Sequence, residues 1–305
     1  MKDKNKTTII YIAGYGRSGS TLVSILLDNL PNVISVGEVA ALPFYYGKDG
    51  LGCSCSEGYE ECPLWGRVIG QLPGGVDFVK EMGEYQKRIE PWYTRLLKGY
   101  NRYDLSEYKK YMKKFFETIH DETENRIIVD SSKSSYKTTW RALTLSTINN
   151  IKIIPVHLIR DLKSVVSSCK KGRNVNLVKG KRRRSYLRAS MSAFTGWVTA
   201  NMAAKYTHRQ LKSKHSIVIE YRDLVRSTEK ELNKIMRIVR NSNHEKIGKK
   251  HYPKNNLRVG HMVGSNRMAK NNRIITVDRS EDGCEQVNFF ENWVANIIRK
   301  IEVTK

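Results

Sequence analysis

The chain has 305 residues, 40% of them hydrophobic, which suffices for one large core or two modest ones. No run of roughly eighteen apolar residues occurs, so the sequence predicts a soluble chain without a membrane-spanning segment. Lys and Arg total 54 against 30 Asp and Glu, and the net charge of +24 predicts an attractive field for anions, leaving nucleotide, polysaccharide, membrane surface and nucleic acid all open.

The N-terminal MKDKNKTTII is basic, but the apolar run behind it reaches Gly14 too soon to form a signal-peptide core, so a cytoplasmic protein is expected. Five β-branched runs then recur: TTIIYIA (7–13), NVISV (32–36), RIIVD (126–130), IKIIPVHLI (151–159) and HSIVIE (215–220). Four lead into helix-like patterns. The expected fold class is therefore α/β: a three-layer, P-loop-like fold with a mainly parallel central sheet of about five strands and helices on both faces. In such sheets ligands sit at the carboxyl ends of the strands, which singles out GYGRSGST, GE, SSKSS and RDLKS.

An insertion of cysteines and aromatics is expected at about 41–122, its second half helical and covering the site. A second, at about 170–188, is the cation-rich KKGRNVNLVKGKRRRSYLR, read as a mobile loop. There is no internal repeat and no clear linker, so residues 1–305 read as a single domain.

Gly14, Gly16 and Gly19 spell the dinucleotide fingerprint, with Glu38 about twenty residues on, while Gly14 and Gly19 also have P-loop spacing with Ser20 in place of the lysine. Against the first stand Arg17, Ser18, Ser20 and Thr21, a cation and three hydroxyls in a turn that needs small residues against a pyrophosphate. Against the second stand the missing lysine and the lack of a clear Mg²⁺-binding aspartate other than Asp130. A cation, hydroxyls and free amides at a helix N-terminus suit an anion that carries little charge of its own and needs no metal, such as a phosphosulfate.

At this point GYGRSGSTL resembles the 5′-phosphosulfate loop of the sulfotransferases that use 3′-phosphoadenosine 5′-phosphosulfate. HLIRDLKSVVSSCKKG is similar to their 3′-phosphate signature, with Arg160 at a strand end and Ser168 about two turns into the next helix; the plainer alternative is a local Arg160–Asp161 ion pair. IVIEYRDLVRSTEKEL and HMVGSNRMAK extend the resemblance. In the latter Ser265, Arg267 and Ala269 depart from the family's pattern, so Arg258, Arg267 and Lys270 are all candidates to touch the nucleotide.

The resemblance, nearest to bacterial carbohydrate and tyrosylprotein-like sulfotransferases, implies a nucleotide pocket built from Gly16, Arg17, Ser18, Gly19, Ser20, Thr21, Leu22, Arg160, Ser168 and Arg267. It implies Arg17 as the charge against the leaving phosphate, Glu38 as base and Lys133 against the bridging oxygen; the residues themselves offer Asp130 or Ser131 as the cap of a helix that positions the lysine. The implied reaction moves a sulfuryl group to a hydroxyl or amine of a carbohydrate or glycolipid, or of another anionic glycan, lipid or peptide, with no metal required. Glu38 as a helix cap or lysine partner is the structural alternative.

Cys53, Cys55 and Cys62 suggest zinc, but no fourth ligand lies close behind, so the cluster reads as structural, with no metal. His157 reads as a core residue. Trp92, Tyr93, Tyr100, Tyr103 and Tyr108 read as core or as a sugar platform. The competing class is a nucleotide- or nucleic-acid-binding protein that uses a Rossmann site or the basic loop, although no nucleic-acid fold signature appears.

Overall fold

In the computed structural model the described residues are 6–48, 51–95, 99, 101–124, 127–170, 186–211, 217–243, 256–264 and 274–275. Strand β1 (Thr7–Ala13) is buried along its whole length. Its Ile10 and Ile12 enter one core cluster while Ile9 and Tyr11 enter clusters on the opposite face, the period-two alternation of a strand covered on both sides. Fully burying each of these isoleucines contributes about 1.5–3 kcal/mol.

Strands β2 (Val33–Gly37), β3 (Ile127–Asp130), β4 (Ile151–Ile159) and β5 (Ile217–Glu220) complete a five-stranded sheet in the order β2-β3-β1-β4-β5, every neighbouring pair parallel. The expected sheet is thus observed, and its strands lie within two residues of the expected bounds. Strands β6 (Leu257–Arg258) and β7 (Ile274–Ile275) form a separate antiparallel pair.

Helix α1 (Ser20–Asp28) covers one face. The other is covered through α2 (Leu42–Tyr45), α3 (Trp65–Gly70), α4 (Val76–Ile89), α5 (Arg102–Glu122) and α6 (Arg141–Leu145). Helix α7 (Leu162–Lys170) packs on α8 (Tyr186–Gln210) through Leu162, Val165, Val166, Ala193 and Trp197. Two further helices, α9 (Tyr221–Arg226) and α10 (Thr228–Asn243), follow β5 and join α1 on its face. Among the described residues no helix is long and apolar enough to cross a membrane.

Two expectations change. The helical half of the first insertion is a layer of the fold and not merely a cover: Trp65 is fully buried and stacks on Phe115 at 6.3 Å, within the cluster that holds Ile9 and Ile128. The basic insertion ends sooner than expected, because Tyr186 already begins α8; residues 171–185 lie outside the described residues.

Candidate active site

Because all five strands are parallel, the loops after β2, β3, β1 and β4 lie side by side along one edge. Between β1 and β4 the chain departs in opposite directions, towards β2 and towards β5, the switch point at which open α/β sheets hold ligands.

The loop after β1 is drawn against β4 by a close approach. A Cβ on Gly14, where φ is 118°, would lie 2.4 Å from the Leu158 carbonyl oxygen. Arg17 is left-handed at φ 71° and Gly19 at φ 94°, and alternating hands of this kind turn successive amides inward. The intrahelical ladder of α1 begins with Val23 N–H donating to Gly19 C=O at 3.1 Å, so the amides of Ser20, Thr21 and Leu22 have no preceding helical carbonyl. Ser18 is buried, and among the described residues its hydroxyl has no partner. Around Gly16 there is open space.

Arg160 directly follows β4 and donates from Nη1 to the Arg17 carbonyl at 3.1 Å, so the two anion motifs, far apart in sequence, touch. Its guanidinium lies 4.3 Å from the Tyr221 ring centroid, and Trp197 Nε1 donates to its carbonyl at 2.9 Å. Tyr221 also walls Gly19, where any side chain would collide with the ring. Asp161 does something other than offer a local ion pair: its Oδ1 accepts from the Ser164 amide at 2.9 Å and caps α7. Ser168 is half-buried, about two turns along α7.

Glu38 leaves β2 just past a register shift between Ser35 and Gly37, a bulge of the kind that re-aims side chains at sheet ends. It ion-pairs through Oε1 with Lys133 Nζ, their side chains 31% and 14% exposed. Lys133, at φ 69°, has its carbonyl held by the hydroxyls of Tyr11 and Thr138, the latter at 3.0 Å. The loop that carries it spans its neighbours: Ser134 N–H donates to Gly14 C=O, Ser131 N–H to Gly37 C=O, and Ala40 N–H to Ser132 Oγ. The expected helix cap is corrected here. Asp130 accepts from Ser132 and from Arg141 Nε at 3.1 Å, bracing a turn, and the next helix starts only at Arg141.

Of the late segment, residues 261–264 are among the described residues. Val263 pairs with Gly37, and Glu38 N–H donates to its carbonyl at 2.8 Å, so residues 261–264 lie beside the Glu38 loop. Arg258 N–H donates to Asn29 Oδ1 at 3.0 Å and its carbonyl accepts from Asn29 Nδ2 at 2.8 Å, which fixes its backbone at the far end of α1 from the glycine loop. Arg267 and Lys270, with Ser265 and Ala269, lie outside the described residues.

The cysteine cluster has a fourth member after all. His261 Nδ1 lies 3.3 Å from Cys62 Sγ, correcting the expectation that no ligand completes the set; the gap of 199 residues hid it. Hydrogen bonding from Cys53, and then from His261, lowers the Cys62 thiol below its ordinary range, against its burial. His157 is a buried core residue bonded to Asn201 Oδ1 at 2.7 Å. Of the aromatics, Tyr108 is core whereas Trp92, Tyr93 and Tyr103 are exposed; Tyr100 lies outside the described residues. The sequence assigned no role to Trp197 or Arg141, and it marked Tyr221 only as part of IVIEYRDLVRSTEKEL.

No protein-family model matches the chain, and no curated protein matches it. Among solved structures, the sulfotransferase domain from the curacin biosynthetic pathway is 17% identical with a TM-score of 0.52, covering 96% of this chain and 98% of that one. The sulfotransferase domain from the Synechococcus PCC 7002 olefin synthase is also 17% identical, with a TM-score of 0.48 and 98% of each chain covered. The five-stranded parallel sheet with helices around it, aligned with the curacin domain over nearly its whole length, is the sulfotransferase fold.

Proposed function

We propose that this chain, a single domain, is a sulfotransferase that moves a sulfuryl group from 3′-phosphoadenosine 5′-phosphosulfate to a hydroxyl or amine of an acceptor. The observation that carries the reading is the contact between Arg160 and the Arg17 carbonyl, which unites two anion loops at the switch point. The residues fit such a donor: open amides at Ser20, Thr21 and Leu22, space at Gly16 and the cations Arg17, Arg160 and Lys133 suit two phosphate groups a nucleoside apart.

The acceptor oxygen or nitrogen attacks sulfur in line while the bond from sulfur to the bridging phosphate oxygen breaks, leaving adenosine 3′,5′-bisphosphate. Glu38 takes the acceptor's proton. Lys133 holds Glu38 in place in the free protein and moves to the bridging oxygen as charge develops there. Arg17 and the α1 amides offset the same charge. Arg160, with Ser168 further along α7, takes the 3′-phosphate. The transferred group carries less charge than a phosphoryl group, so these cations supply the field.

The acceptor is an anionic carbohydrate or glycolipid. The net charge of +24 draws it. Exposed Trp92, Tyr93 and Tyr136 offer faces for sugar rings close to the Lys133 loop, where Trp92 N–H donates to Tyr136 C=O at 3.0 Å.

Thermal melting tests the nucleotide half and transfer from labelled donor to a panel of glycans tests the rest. Adenosine 3′,5′-bisphosphate should raise the melting temperature in proportion to its affinity. Saturable NAD(H) binding without a response to the bisphosphate would restore the dinucleotide reading. A response to oligonucleotides alone, steeply weakened by salt, would make this a nucleic-acid-binding protein.

A further inference from the structure

Four side chains from opposite ends of the sequence meet beside the Glu38 loop. Cys53, Cys55 and Cys62 come from the first insertion and His261 from the segment after β6, and their ligand atoms all lie within 4.8 Å of one another. His261 Nδ1 is 3.3 Å from Cys62 Sγ and 4.0 Å from Cys53 Sγ. With metal bonds of about 2.3 Å to sulfur and 2.0–2.1 Å to nitrogen, a tetrahedral zinc ion sets its ligand atoms roughly 3.5–3.8 Å apart. The quartet needs to close by no more than about 1 Å.

We propose that Cys53, Cys55, Cys62 and His261 form a structural zinc site that fastens the insertion to the chain segment beside Glu38.

The surroundings of the sulfurs favour this over ordinary core packing. All three cysteines are free, and Cys53 and Cys62 are buried. Ser56, left-handed at φ 76°, turns the chain between the first two cysteines and Glu57. Among the described residues no helix or strand forms between Tyr45 and Trp65, and so long an irregular stretch in a compact fold calls for another constraint. Three thiolates and one imidazole select a soft tetrahedral ion over Mg²⁺ or Ca²⁺. Four protein ligands leave no open position, so the site is structural.

Its placement gives it a consequence. Ser54 N–H donates to Met262 C=O at 3.1 Å, Met262 N–H donates to Ser54 Oγ at 2.7 Å, and Trp65 Nε1 donates to the His261 carbonyl at 3.1 Å. Two residues past His261, Val263 holds the Glu38 backbone, and a Cβ on Gly264 would stand 3.1 Å from that of Glu38. Zinc at the quartet therefore locks the strip of chain on which the Glu38 loop rests. Binding displaces the thiol protons, so affinity falls in acid.

The test is the metal content of the full chain purified under reducing conditions with zinc supplied, followed by replacement with Co²⁺. About one zinc per chain is expected, and the cobalt form should show the sulfur charge-transfer and intense d–d absorption of a tetrahedral thiolate site. Cys62→Ser and His261→Asn should each weaken that spectrum and release the metal to a chelator, while His261→Cys should retain it. Folded wild-type protein without stoichiometric metal, a Cys53–Cys62 disulfide in the reduced preparation, or a cobalt spectrum unchanged in Cys62→Ser and in His261→Asn would overturn the proposal. If the variants do not fold, the cobalt spectrum of the wild type decides. None of these readouts uses donor or acceptor, so the zinc site stands or falls apart from the sulfotransferase reading.

Discussion

Two carboxylate–cation groups flank the end of β3 with opposite fates. Arg141 bonds Glu90 Oε1 at 2.5 Å and Asp130 Oδ2 at 3.1 Å with every partner sealed from water, and Tyr108 adds its hydroxyl to Glu90 at 2.8 Å. Burial opposes the charge on Arg141, yet Glu90 and Asp130 overcome it and hold the guanidinium well above its ordinary range. Burial pushes Glu90 up while Arg141 and Tyr108 pull it back. The Glu38–Lys133 pair, three residues further along the same loop from Asp130, keeps an opening to solvent. Similar chemistry becomes scaffold where it is sealed and machinery where it is half open. A sealed cation cannot change partner without stranding two carboxylates, whereas Lys133 can.

Breaking the sealed group should have the largest effect on the fold. Arg141→Met leaves two buried carboxylates without their cation, and removing one partner of a buried ion pair costs about 3–5 kcal/mol. Urea unfolding of Arg141→Met and Lys133→Met measures the contrast, the latter losing no more than about 1 kcal/mol as a part-exposed pair. Equal losses would erase the distinction.

The half-open group should show its effect in turnover. Arg17→Ala should slow transfer by roughly 10²–10³-fold, the scale of one preorganised donor. Glu38→Gln should slow it by at least roughly 10²-fold, with adenosine 3′,5′-bisphosphate still bound. Loss of bisphosphate binding in Glu38→Gln would move Glu38 into the scaffold class.

Arg160 sits between the two cases, anchored by Tyr221 and Trp197 but facing the switch point. Arg160→Ala should cost about 1.5–3 kcal/mol of bisphosphate affinity, and the cost should vanish for adenosine 5′-phosphosulfate, which lacks the 3′-phosphate. Equal losses with both ligands, measured by titration calorimetry, would assign Arg160 to holding the Arg17 loop alone.

These groups were unequally visible in the sequence. The strands were legible because Thr7–Ala13 and Ile151–Ile159 are β-branched runs bounded by turn residues, a signal contained in the segment itself. Gly14, Arg17 and Arg160 were legible as motif positions at strand ends. Partnerships were not: that Lys133 pairs with Glu38, that Arg141 satisfies Glu90, or that His261 meets Cys62 depends on which strand ends become neighbours, and no local pattern records that. Asp130 was misread as a cap for the same reason, because its partner Arg141 is fixed by packing and not by spacing along a helix.

A part-buried histidine pair completes the comparison and predicts the smallest effect. His157 and His208 stack edge to face at 5.7 Å, and among the described residues His208 Nε2 is buried without a hydrogen-bond partner. Burial, and then the neighbouring His157, lowers His208 from 6.5 to about 4; burial also lowers His157, against the hydrogen bond it donates to Asn201 Oδ1. The folded chain therefore keeps His208 neutral where the unfolded chain takes up a proton, so the unfolded state binds more protons between the two values. Its contribution is complete above about pH 6.5 and declines as the pH falls towards about 4. His208→Leu removes the titrating ring, so its melting temperature should fall less than that of the wild type between neutral and mildly acid buffer. The same slope in both proteins would place the acid sensitivity in other groups, with carboxylates such as those at the strand ends next to be tested.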